Sequence, residues 1–231
     1  VAKAATITAP APLPLSHPRH PRHYKPYHST GEVLFLLTIA LIGIILPFLP
    51  LNFYILLILA VVVYTLLPVV IIRDYWPKLS LHQLGWRRPE RPRHLRTYTL
   101  MVLLLAFLPL VIWLSVAQPV NYVSVLPTAS WLDWLTAEAL VAVILLATAG
   151  FFSGIVLFRL THHLGPAMAI IVVGVIMGAG QYFMPGSLRL LTLPVAIVLN
   201  WMAWETHSFA PAAVTQILLA LTYDFYVRLT V

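Results

Sequence analysis

The sequence lacks cysteine altogether and holds little charge: charged side chains make up 9% of 231 residues. Without thiols there is no disulfide, no thiolate zinc site and no cysteine nucleophile, so redox chemistry says nothing about compartment. Globular domains carry about 25% charged and about 45–50% apolar residues, whereas the apolar share here is 61%. So few charges cannot cover a water-facing surface, which excludes an ordinary soluble domain, a disordered chain, a coiled coil and collagen. Acidic residues are scarcest, seven against fourteen Lys and Arg, for a formal charge of +7. The cations lie beside apolar runs, so anionic lipid headgroups are their expected partner and nucleic acid is not.

What is there is a series of long apolar runs. Measured against the roughly 20 residues needed to cross a ~30 Å hydrocarbon core, seven segments qualify: about 33–49, 52–72, 97–117, 132–160, 167–184, 188–204 and 209–229. The expected fold is an all-α polytopic transmembrane bundle. Leu46-Pro47-Phe48-Leu49-Pro50 between the first two segments predicts a tight hairpin rather than one interrupted helix. Ser130 with Asp133 reads as a capping box, Gly165-Pro166 as a stop followed by a start, and Ser208 with Pro211 as the opening of the last span.

Charge orients the bundle. With the N-terminus inside, twelve Lys/Arg (positions 3, 19, 22, 25, 73, 78, 87, 88, 91, 93, 96 and 159) are cytoplasmic and two, Arg189 and Arg228, lie outside. The expectation is an inner-membrane protein with a cytoplasmic N-terminus and an external C-terminus. Trp76, Trp86, Trp201 and Trp204 fall at the inner interface, Trp131, Trp134, Tyr223 and Tyr226 at the outer one. No cleavable signal is evident in residues 1–30.

The chain divides into a basic Pro/His-rich tail, 1–31, and a transmembrane domain, 32–231, interrupted by a basic loop, 73–96. In the tail, His17, His20 and His23 recur every third residue, as on a polyproline II ridge. Successive histidines would stand about 9 Å apart, too far for one metal ion. The tail reads instead as a juxtamembrane anchor or as an arm along a partner, with Arg19, Arg22 and Lys25 as contacts. In the loop, Ser80 and Gly85 bracket a short amphipathic helix. Arg87, Arg88, Arg91 and Arg93 follow and are expected among the headgroups.

Polar groups inside the spans are few: Thr148, Ser153, Gln181, Asn200, Thr215 and Gln216, with Glu138, Glu205, His207 and Asp224 near the ends. No His/Glu cluster at metal-ligand spacing appears, which argues against a proton-coupled transporter or a metalloenzyme. The neutral residues read most simply as interhelical packing groups. Gly150-Phe151-Phe152-Ser153-Gly154 and Gly174-Val175-Ile176-Met177-Gly178 are both GxxxG patterns, predicting that the fourth and fifth spans pack face to face through Gly150, Gly154, Gly174 and Gly178.

Two stretches together resemble the CPBP family, the bacterial relatives of the CAAX prenyl endopeptidase. Leu79-Ser80-Leu81-His82-Gln83-Leu84-Gly85-Trp86-Arg87-Arg88-Pro89 is similar to the "sl-eLGlrrp" segment preceding that family's core. Phe152 to Leu160 resembles its "FRGxLlxxL", Leu164 to Ile170 its "lGpxxAi", and Ala210 to Gln216 its final helix, giving a core over about 130–229. The likeness covers about half of the chain. It implies a protease-like bundle whose catalytic residues are missing: the EExxxR motif falls on Thr148, Ala149 and Ser153, FxxxH on Met177 and Gln181, and the last histidine near Thr215 or Gln216. Amides, hydroxyls and methyls cannot serve as a general base at working pH.

The leading expectation is therefore a non-catalytic structural or assembly subunit of a larger membrane complex, in contact with other subunits or with a second copy. Ala149, Ser153, Gln181 and Gln216 should converge, with the two glutamines bonded to each other, to a backbone carbonyl or to water. Two alternatives stand beside it. One is an active intramembrane peptidase using Glu138, Glu205 or His207. The other is a carrier whose Trp201 and Trp204 line a cavity for pigment or lipid; otherwise no cofactor and no metal is expected.

Overall fold

The computed structural model of the protein describes residues 30–45, 52–75, 80–89, 101, 103–104, 130–180 and 188–230. Among these, all regular structure is helical. Helix α1 is Thr30–Ile45, and α2 runs through Phe53–Val61, Val62–Leu66 and Leu67–Tyr75. A 3-10 turn, Leu81–Leu84, follows. The longest helix, α3, is Trp131–Leu164; α4 is Pro166–Gly180, α5 Leu188–Thr206 and α6 Ala210–Thr230.

Six of the seven apolar segments thus carry a helix at nearly the expected limits; of the seventh, 97–117, only residues 101, 103 and 104 are described, and they are helical. The first two segments are separate helices, with Asn52 outside both. Among the described residues one helix, α3 at 34 residues, is by length and composition long and apolar enough to cross a membrane by itself, while Val33–Ile42, Ile58–Val70 and Pro166–Gly180 are shorter apolar stretches.

Local chemistry sets the helix ends. The Ser130 hydroxyl accepts from the Asp133 amide at 3.1 Å and donates to the Asp133 carboxylate at 2.7 Å, so the cap is a side-chain pair rather than the full reciprocal box. Gly165, at φ +77°, ends α3, and Pro166 opens α4, where its missing N–H costs nothing. Ser208 accepts from the Ala210 amide at 3.3 Å, at the start of α6.

Two turns are wider than an α-helix, Val62–Leu66 in α2 and Gly150–Val156 in α3. The first precedes Pro68, which offers no N–H to the Tyr64 carbonyl and crowds it with its ring, so the helix widens there. The two wide turns face each other through Tyr64, whose ring centre is 5.6 Å from those of both Phe151 and Phe152. Every residue from Ala149 to Phe158 is buried.

The glycine expectation needs correction. All four glycines make close approaches, but not to one another. A Cβ on Gly174 would lie 2.6 Å from the Ile197 side chain and one on Gly178 3.1 Å from the Leu193 Cα, so α4 uses its glycines to approach α5. Gly150 and Gly154 face the loop instead: added Cβ atoms would lie 2.9 Å from the Trp86 ring and 3.2 Å from the Leu84 carbonyl. A GxxxG pattern marks a notch and leaves its filling open.

Candidate functional site: a neutral centre under a docked loop

Two of the fully buried polar groups among the described residues meet where α3, α4 and α5 come together. Ser153 and Asn200 are fully buried, and both reach the sulfur of buried Met177. The Ser153 hydroxyl donates to Met177 Sδ at 3.8 Å, and Asn200 Nδ2 donates to it at 3.3 Å. Asn200 Nδ2 also donates to the Ala196 carbonyl one turn back, at 2.8 Å, while Asn200 Oδ1 is buried without a hydrogen-bond partner. Wide turns recur at functional positions, and this one brings Ser153 inward. Nucleophilic use of a serine needs a base to take its proton. A thioether is a weak acceptor and an amide nitrogen is none, so these three groups can hold geometry or a hydrogen-bonding ligand but cannot activate the hydroxyl.

The other residues singled out by the sequence divide into those near this centre and those elsewhere. Ala149 is fully buried one turn before Ser153. The Thr148 hydroxyl turns back to the Ile144 carbonyl at 2.7 Å and leaves the centre alone. Gln216 is half-buried on α6, with its side-chain oxygen buried and no hydrogen-bond donor on it. Gln181 lies outside the described residues, as do Arg19, Arg22, Lys25, Arg91 and Arg93. Glu138 is buried on α3, ten residues before Thr148. Glu205 accepts from the Trp201 indole at 3.2 Å in the last turn of α5. His207, at φ +49°, sits in the α5–α6 turn with its ring 5.5 Å from that of Trp204.

Sequence reasoning treated Asn200 as ordinary packing and missed its meeting with Ser153, because no spacing connects positions 153, 177 and 200. Ser80 and Gln83 form a full capping box, and Gly85, at φ +82°, stops the turn, but the turn is 3-10 rather than α. Residues 84–87 are docked into the bundle. Leu84 and Gly85 are buried, and the Trp86 indole donates to the Gly150 carbonyl at 3.2 Å. Arg87 Nε donates to the His207 carbonyl at 2.8 Å, the Ser208 hydroxyl to the Arg87 carbonyl at 2.6 Å, and the Phe209 amide to the Gly85 carbonyl at 3.2 Å. Trp86 is therefore a wedge against Phe209, ring centres 5.0 Å apart and planes tilted by 47°, and Arg88 remains exposed. The signal was a left-handed glycine and a tryptophan on one segment and a glycine notch on another.

At the opposite end, Trp131 and Trp134 meet Phe225 with ring centres 6.3 and 6.0 Å apart, joining the start of α3 to the end of α6. Compared with known proteins, the chain matches no family model, no curated sequence and no solved structure.

Proposed function

We propose that the chain is a multi-pass membrane protein of about seven spans, N-terminus inside and C-terminus outside, serving as a non-catalytic structural or assembly subunit of a larger membrane complex. The observation that carries the membrane part is the outer surface of the helices. Leu34 on α1, Ile58 on α2 and Leu132 on α3 are 67%, 62% and 73% exposed. They belong to stripes at helical spacing: Ile55, Ile58, Val62 and Leu66; Leu132, Leu135, Val143 and Leu146; Met168, Ile171 and Val175. Contiguous apolar stripes on several helices at once suit hydrocarbon, not water. Docking of the 80–89 loop beside Phe158 and the 207–209 turn also agrees with one face holding all three, as the charge asymmetry requires.

The non-catalytic part is supported by the neutral centre. Ser153 and Met177 occupy positions matching two of the CPBP motifs and touch, which favours a degenerate bundle of that kind. Anionic headgroups are the proposed partners of the exposed basic residues, Arg88 among them. Reporter fusions at Lys78 and Val231 should report opposite faces; one shared face would remove a span. Purification in mild detergent followed by mass spectrometry should recover stoichiometric membrane subunits, or a homo-oligomer. A monomer that cleaves peptides in a manner abolished by Glu138→Gln would replace this reading with the peptidase.

A further inference from the structure

Glu138 is a buried carboxylate with an unmet oxygen: the residue is 7% exposed, and its Oε2 has no hydrogen-bond partner. An ionised carboxylate in a low-dielectric interior needs a counter-charge and donors. The sequence offers little of either, because no Lys, Arg or His stands between positions 33 and 72 or between 97 and 158. At this end of the bundle the charged groups are Asp133, hydrogen-bonded to Ser130, Asp224 on α6, Arg228 one turn beyond it, and Arg189 at the start of α5. Trp131, Trp134 and Glu138 stand at i, i+3 and i+7, on one face of α3. That part of the helix packs along α6, where both indoles meet Phe225 and where Asp224, the preceding residue, lies within electrostatic reach of Glu138. The three rings are set at 48° to 85° to one another rather than stacked, and Trp131 and Phe225 are 52% and 44% exposed.

We propose that the adjoining ends of α3 and α6 bind one primary ammonium group, with Glu138 and Asp224 accepting its N–H bonds and the rings of Trp131, Trp134 and Phe225 beside it. An ammonium brings both the charge and the donors that Glu138 Oε2 lacks, and its bonds to carboxylates are the strong, charge-assisted kind. Aromatic faces next to it add to the attraction. A quaternary ammonium would suit the rings but leave Glu138 Oε2 without a donor. The depth fits a lipid headgroup. At 1.5 Å per residue the 34 residues of α3 are about 51 Å long, about 20 Å more than a ~30 Å hydrocarbon core. Half of that excess at each end covers about seven residues, which reaches from Trp131 to Glu138. The amine is accordingly that of an ethanolamine lipid or of a soluble molecule in the outer compartment. The depth rests on the seven-span reading; the acid and aromatic contacts do not.

The test uses the full chain in phosphatidylcholine nanodiscs, with thermal unfolding followed as phosphatidylethanolamine is mixed into the bilayer or ethanolamine is added to the buffer. At roughly a hundred times its dissociation constant, the bound amine should raise the unfolding temperature by about 5–10 °C. A rise with the lipid alone identifies a headgroup site, and a rise with ethanolamine in pure phosphatidylcholine identifies one open to soluble amines. Glu138→Gln keeps the size of the side chain and needs no counter-charge, so in phosphatidylcholine it should unfold no earlier than the native chain, and it should lose the rise. If Glu138→Gln does not fold, Asp224→Asn serves instead and should need about tenfold more amine for the same rise. Three results overturn the proposal. One is an undiminished rise in the variant, and another is an equal rise with choline, since the rings alone would then hold the cation. The third is no rise with either amine, in which case a proton neutralises Glu138. Reporter fusions that shared one face would overturn the seven-span reading and leave the ethanolamine result standing.

Discussion

The two halves of α3 have similar composition and opposite surroundings. From Trp131 to Leu146 the helix alternates exposed Leu132, Leu135, Val143 and Leu146 with buried Ala137 and Glu138, while from Ala149 to Phe158 nothing is exposed. The outer half is a wall of the bundle and the inner half is its axle, surrounded by α2, α4, α5, α6 and the docked loop. Both are apolar, so hydropathy alone cannot tell a lipid-facing stretch from a protein-enclosed one. The difference lies in side-chain size. The inner half carries Gly150, Ser153 and Gly154, which let other backbones and the Trp86 ring approach, whereas the outer half has no glycine.

If that division is right, truncation should hurt in one half only. Phe151→Ala should cost about 3–5 kcal/mol, as for a fully buried aromatic, and Leu132→Ala should cost almost nothing, both read as thermal unfolding in detergent. Equal losses would erase the distinction. The reverse asymmetry comes from charge: Val143→Lys, on the exposed stripe, should cost about 2.5–3.5 kcal/mol of membrane insertion, measured in an insertion assay. Free tolerance of that lysine would mean that the stripe faces water.

Smaller effects sharpen the inner half itself. Gly85→Ala forces a side chain into a left-handed conformation and drives its Cβ into the Phe158 ring. A loss of about 1–3 kcal/mol is expected, together with greater protease sensitivity of residues 80–89. Ser153→Ala should be mildest, below about 1 kcal/mol, because its hydroxyl donates only to a thioether. A large loss there would mean that Ser153 has a stronger partner than Met177.

Helix positions were legible because apolar runs and their punctuation are local properties. Ser130, Gly165-Pro166 and Ser208 each act within four residues of the ends they make. The wide turns were not, since Pro68 explains one only after the backbone is traced and the other, Gly150–Val156, has no proline to mark it. The glycine pairs show the limit most plainly. A missing Cβ makes space, but whether Trp86, Leu193 or Ile197 fills it is decided by tertiary packing. The neutral centre was half visible: Ser153 came from the family resemblance, whereas Asn200 joins it only through the shared sulfur of Met177.

The bond from Arg87 to His207 spans 120 residues, and that separation imposes an order on biosynthesis. At roughly 5–20 residues per second of translation, the turn that receives Arg87 leaves the ribosome some 6–24 s after Arg87 itself. Throughout that interval Trp86 lacks the Phe209 ring and the Arg87 guanidinium lacks the His207 carbonyl. The docked arrangement of residues 84–87 therefore belongs to the finished bundle and is the last of its contacts to close.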